Sequence, residues 1–183
     1  MTRVVEQPGI GAARLKAALK AFPGLEGKVG WFASAKYENG TQVALVAAVQ
    51  EYGYAPKHIP PRMGLRAMIP EKQESWAQFA KAAAKKVLVE GAAPEEMFLL
   101  VGARAEADIR RQIASVTSPP LAFATQDARA RRRGIEPDEL TATGAKPLVD
   151  TSLMYSTVSN IVEKDGALVA GKVKTKIGDD ATG

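Results

Sequence analysis

The spacing of apolar positions changes along the chain, and each change marks an element. From Gly11 to Phe22, the side chains of Leu15, Leu19 and Phe22 share a helical face. Lys16 and Lys20 lie off that face, and Pro23-Gly24 closes the helix. Lys28–Ser34 alternates, with Val29, Trp31 and Ala33 on one side, which predicts a strand. Asn39-Gly40 then supplies a turn. Thr41–Gln50 is apolar on both faces and reads as a strand covered on both sides; a helix over its later half stays open, since alanine tolerates both. Gln50-Glu51-Tyr52-Gly53 stops that run, and Ile59-Pro60-Pro61-Arg62 is a stiff, non-helical crossing.

Two longer helices follow. In Glu71–Glu90, Trp76, Phe79, Ala80, Ala83 and Val87 form a stripe that Gly91 ends. Pro94 opens the next helix, with Glu95 and Glu96 favourable to its dipole. Its stripe runs through Phe98, Val101, Gly102, Ala105, Ile109 and Ile113. Periodicity fails from Val116 to Lys146, where prolines and glycines interrupt every pattern; only Gln126–Arg133 reads as a short helical turn. Asp150 or Thr151 suits a cap for a turn at Ser152–Tyr155. Asp165-Gly166 then centres a hairpin whose second strand extends to Ile177, and Gly178–Gly183 reads as a frayed tail. These elements predict one α+β domain over residues 1–183. A small, largely antiparallel sheet of hairpins packs on two longer helices, and residues 116–146 form a long irregular arm.

Composition narrows the chemistry. A length of 183 residues, 46% of them hydrophobic, supports a real core. No apolar run reaches the ~20 residues of a membrane span, and MTRVVEQPGI has no signal-peptide core, so synthesis in the cytoplasm is expected. The absence of cysteine excludes disulfides and thiolate chemistry, and a single histidine, His58, argues against zinc. The acids Glu51, Asp108, Asp150 and Glu163 form no paired motif, and neither a nucleophile elbow nor a phosphate loop occurs. The sequence therefore predicts no enzyme and no cofactor.

The net charge of +5 concentrates in two places. Arg129, Arg131, Arg132 and Arg133 form the densest cluster, which fits DNA phosphates, an acidic partner or a solvated helix end. Lys172, Lys174 and Lys176 share one side of the last strand; they could line a DNA channel or protect a sheet edge.

Two stretches carry a resemblance. Gln50-Glu51-Tyr52-Gly53 followed by Ile59-Pro60-Pro61-Arg62-Met63-Gly64-Leu65-Arg66 resembles the tail-component and virion-morphogenesis proteins of long-tailed bacteriophages, where a Glu-aromatic-Gly step precedes an "IPxRPFLR" segment. Met63-Gly64 departs from the Pro-Phe of that pattern. Further on, Pro120-Leu121, Thr125, Arg129 and Gly134 lead to KPLVDTSLMYSTVS, similar to the family's "KPLIDTGxLxxSI". Ser152 stands where the family has glycine, and Thr157-Val158 lie near its Ser-Ile.

The resemblance runs from about Val29 to Val162 and implies a structural role. It implies a neck, tail-completion or tail-terminator component of the head–tail junction, made in the host bacterium and found in the virion. Such a protein would form a homo-oligomeric ring, a hexamer, around the DNA channel and meet other neck and tail proteins, with no membrane partner. Glu51, Tyr52, Gly53, Ile59, Pro60, Arg62, Leu121, Phe123, Asp150 and Thr151 are then candidates for subunit or partner contacts, and the arginine and lysine groups for DNA or acidic partners. The alternatives are a nucleic-acid-binding protein acting through Arg129–Arg133 and a metal-dependent hydrolase.

Overall fold

The computed structural model describes residues 10–142 and 146–178; the tail at 179–183 and Gly144 lie outside them. The fold is α+β, with a three-stranded antiparallel sheet in the order β1-β2-β3. The elements are α1 (Ile10–Ala21), β1 (Leu25–Gly30), α2 (Val43–Tyr52), α3 (Leu65–Lys85), α4 (Pro94–Ser115), α5 (Phe123–Arg133), α6 (Pro137–Ala142), α7 (Leu153–Ser156), β2 (Ser159–Lys164) and β3 (Ala167–Gly171). The chain forms two compact units. A sheet unit takes residues 10–28, Gln73–Ala105 and Asn160–Lys172; a helical unit takes Val29–Lys72, Glu106–Ser159 and residues 173–178.

In the sheet unit, β2 and β3 form the expected hairpin. Asp165 and Gly166 both have positive φ, 51° and 83°, as a tight two-residue turn requires. The register shifts between Val162 and Glu163, an irregularity of the bulge type. Ile161 and Val162 are buried, together with Leu25, Ala83, Val87 and Ala105. At Gly102 of α4 a β-carbon would lie 2.9 Å from that of Asn160, so only glycine lets helix and strand approach this closely. Lys28 of β1 and Glu163 of β2 form an ion pair.

In the helical unit the core is Ala35, Val43, Ala47, Met63, Met68, Ile109, Ile113, Val116, Ala130, Leu140, Leu148, Met154 and Val158. Three sequence expectations need correction here. Thr41–Gln50 is not a strand: Val43–Tyr52 is helix α2. Its buried positions, Val43, Ala47 and Glu51, recur at i, i+4 and i+8, and its three alanines favour a helix over the β preference of its valines. The helix expected from Glu71 starts at Leu65 and passes through Pro70. Glu51 supplies that earlier start by capping it, as described below. The Val116–Lys146 segment, expected to be irregular, folds in large part as α5 and α6, with Ala130 and Leu140 fully buried. Gly134, at φ 68°, ends α5, and Ile135 N–H returns to the Ala130 carbonyl.

Both predicted strands at the ends of the sheet are also displaced. The strand placed at Lys28–Ser34 is found at Leu25–Gly30, ending where Gly30 takes a positive φ of 147°; just beyond it the indole N–H of Trp31 donates to the Met154 carbonyl at 2.7 Å. The last strand stops at Gly171 rather than Ile177. Beyond it, Lys174 N–H donates to Ser159 Oγ at 2.8 Å. The three lysines are therefore not a row along a strand.

Candidate functional site

The candidate residues of the two resemblance stretches meet in the helical unit. Glu51 projects from the last turn of α2 toward the start of α3. Its carboxylate accepts Leu65 N–H at 2.8 Å, and Arg66 N–H and Nε at 3.0 and 3.2 Å. The first amides of a helix have no partner within it, and a carboxylate there also meets the positive end of the helix dipole. Glu51 is 8% exposed, so it is an internal cap rather than a surface contact. Gly53 ends α2 at φ 78°, and a β-carbon on it would lie 2.9 Å from the Ile59 carbonyl oxygen. Tyr54 and Ile59 form an isolated β-bridge, which closes the loop that holds His58.

The rigid crossing that follows is pinned at both ends. The Gln50 carbonyl accepts Arg62 N–H and Met63 N–H at 2.7 and 3.0 Å. The Arg62 side chain donates Nε to the Pro119 carbonyl at 3.0 Å and an Nη to Pro120 at 3.1 Å. Burial lowers the Arg62 pKa from its ordinary value. Gln112 donates to the Met63 carbonyl at 3.0 Å, which fixes the residue after Arg62. The first stretch is thereby tied to the start of the second.

The second stretch closes around Asp150. Arg129 is buried and donates to the Lys146 and Pro147 carbonyls at 3.1 and 2.9 Å. Its Nε lies 3.4 Å from Asp150, Arg132 reaches the same carboxylate at 2.8 Å, and Arg133 reaches it at 3.6 Å. Arg133 also donates to the Asp150 carbonyl. One carboxylate thus holds three guanidinium groups from α5. Burial lowers the Arg129 pKa, Asp150 opposes that fall, and Arg133, Arg132 and Arg62 add to it. Burial raises the pKa of the Tyr37 phenol, with Asp150 adding and Arg129 opposing. Arg131 faces away, pairs with Asp127 at 2.8 Å and is 79% exposed along its side chain.

The remaining candidates are dispersed. Tyr52 lies exposed, with the Arg66 guanidinium 4.5 Å above its ring centre. Leu121 offers its carbonyl to Gln126, and Phe123 is 75% exposed. Pro60 is half-buried. Thr151 Oγ1 accepts Leu153 N–H at the start of α7. Lys174 pairs with Glu106, a buried acid of α4 that also holds Arg110 at 3.0 Å. Lys172 and Lys176 are exposed. Sequence reasoning missed Glu106, which occupies a helical position beside the apolar stripe; its only signal was the Arg110 four residues on.

Among the described residues, no group of three or more His, Asp or Glu is placed to hold a metal ion. No described helix is long and apolar enough to cross a membrane. Comparison of the chain with protein-family models, curated proteins and solved structures gave no match.

Proposed function

We propose that the chain is a structural virion protein of a long-tailed bacteriophage. In this reading it is a neck, tail-completion or tail-terminator component that self-associates into a ring around the DNA channel and joins tail to head. The order of the two resemblance stretches supports the family. The observation that carries self-association is the outward face of α2. Leu45, Ala48 and Tyr52 recur there at i, i+3 and i+7, opposite the buried Val43, Ala47 and Glu51. Leu45 is 58% exposed and Tyr52 65%, and Tyr54 continues the aromatic surface. Large apolar side chains exposed together on one helix mark a protein contact. The hydrogen bonds of Gln50 and Glu51 hold that helix and its following loop in one shape, which favours a repeated, geometrically fixed contact.

Sedimentation velocity of the protein over a wide concentration range, with electron microscopy of particles containing it, tests the reading. Rings are expected, and Leu45→Asp with Tyr52→Asp should shift the distribution toward monomer. Isolated subunits with no mutual contact in native particles would refute it. Nucleic-acid binding is the second reading, favoured by the exposure of Arg131 at the end of α5. It requires DNA affinity that falls steeply with salt and weakens on Arg131→Ala.

A further inference from the structure

We infer that the cavity beside Asp150 in the helical unit is a binding site for the terminal phosphate of a small organic molecule. The cavity measures about 340 Å³, at the small end of the range for ligand sites. Among the described residues, the charged side chains that line it are Arg129, Arg132 and Asp150. Thr151 brings a hydroxyl, and Tyr37 and Val46 bring apolar surface. The inference stands on this cavity alone and does not depend on the virion reading.

Charge sets the class of ligand. Arg129, Arg132 and Arg133 share the Asp150 carboxylate, and among the described residues none of the three pairs with another. Three cations on one anion leave a surplus of two. Arg62, whose guanidinium is held by backbone carbonyls, adds positive potential at Arg129. A phosphate monoester carries about −1.5 to −2 charges at pH 7, whereas each phosphodiester of a nucleic acid carries one. The surplus matches the monoester. The donors divide the work. Arg129 is buried and gives both Nη atoms to the Lys146 and Pro147 carbonyls, so it supplies field rather than contact. Arg132 gives one Nη to Asp150 and is 57% exposed along its side chain, which leaves further donors of its fork for phosphate oxygens. Asp150 holds that fork in place, so the ligand need not order it. The Thr151 hydroxyl accepts Leu153 N–H and keeps its own proton to donate. Val46 and the Tyr37 ring, both half-buried, face the organic part.

The test is calorimetric titration of the full chain with phenyl phosphate at constant ionic strength, against inorganic phosphate and the monoanionic diester diethyl phosphate. Phenyl phosphate should saturate a single site. Diethyl phosphate should bind at least about fivefold more weakly, since it carries one charge fewer. Inorganic phosphate should also bind more weakly, since it has no apolar part to bury. Arg132→Gln should weaken phenyl phosphate binding about tenfold or more, the scale of a lost charge-assisted contact. Thr151→Val should weaken it about threefold and still decides if Arg132→Gln fails to fold. Arg131→Gln removes the same charge from the same helix outside the cavity, and should leave affinity within about twofold because that side chain is exposed and paired with Asp127. No saturable binding, equal affinity for phenyl and diethyl phosphate, or equal losses in Arg131→Gln and Arg132→Gln would overturn the inference. Phenyl phosphate no tighter than inorganic phosphate would overturn the assignment to an organic ester. Duplex DNA that competes for the site with the same dependence on Arg132 would overturn it in favour of a nucleic-acid backbone.

Discussion

Replacing Glu51 with alanine sets the hydrogen bonds of a helix cap against the cost of keeping a charge buried. Three interactions are lost: two backbone N–H bonds at the start of α3 and the contact to Arg66 Nε. A lost N-cap costs about 1 kcal/mol. The carboxylate's interaction with the helix dipole adds about 0.5–1 kcal/mol. The ion pair adds only a few tenths, roughly 0.3 kcal/mol, because the Arg66 side chain is 65% exposed and solvent screens it. The total is about 2 kcal/mol of lost stability. Glu51→Gln keeps one acceptor of the two oxygens and should lose about 1 kcal/mol. Urea unfolding measures both, as a lower midpoint at unchanged slope. Amide exchange adds a local readout: Leu65 and Arg66 should lose protection in both variants, and more in the alanine. A Glu51→Ala protein within about 0.5 kcal/mol of the parent, with both amides still protected, would refute the argument. Desolvation of the buried carboxylate would then cancel its bonds, as happens at some buried ion pairs.

Other outcomes follow from the same geometry. Asp150→Ala removes the common partner of three arginines and should cost about 2–3 kcal/mol, below the figure for a fully buried pair because Arg132 and Arg133 are partly exposed; added salt should recover part of it in urea unfolding. Ser152 has φ 60°, so Ser152→Gly should relieve left-handed strain and, net of the entropy of glycine, raise stability by about 0.5–1 kcal/mol in the same assay. The Tyr37 phenol titrates above its ordinary value of 10.0 in the folded protein. Its contribution is therefore complete below the unfolded value and is lost as pH rises through the folded one. The stability difference between parent and Tyr37→Phe should be flat from pH 8 to about 10 and then fall; a flat difference to pH 11 would contradict the shift.

Much of the fold was legible where one principle acted alone. Pro94, Glu95 and Glu96 marked the start of α4 because a helix N-terminus favours both an imino acid and negative charge. Asp165-Gly166 marked its turn because few residues accept positive φ twice. Reading failed where a distant residue decided. Apolar residues on both faces of Thr41–Gln50 pointed to a covered strand, but its buried positions, Val43, Ala47 and Glu51, lie on one face of a helix. Pro70 hid the first turn of α3, whose cap lies on another helix. Of the site, the residues were visible in the sequence but their directions were not. Glu51 and Arg129 look like surface charges in the sequence and turn inward in the fold. Ser152 holds a positive-φ backbone that a glycine would adopt without strain, a demand its place after Asp150-Thr151 does not announce in the sequence.

Trp31 donating to the Met154 carbonyl spans 123 positions of the chain, and Arg62 reaches Pro119 across 57. During synthesis the N-terminal part of a chain emerges first, at roughly 5–20 residues per second. The first part of the helical unit must then wait on the ribosome with its indole and guanidinium donors unmatched while α3 and α4 are still being made. Completion belongs to the moment after residues 154–159 leave the exit tunnel, so this unit closes only once that segment has emerged. A nascent chain halted before α7 would display Val43, Ala47 and Met63, the side chains that the finished unit hides, and would be a substrate for chaperones rather than for assembly.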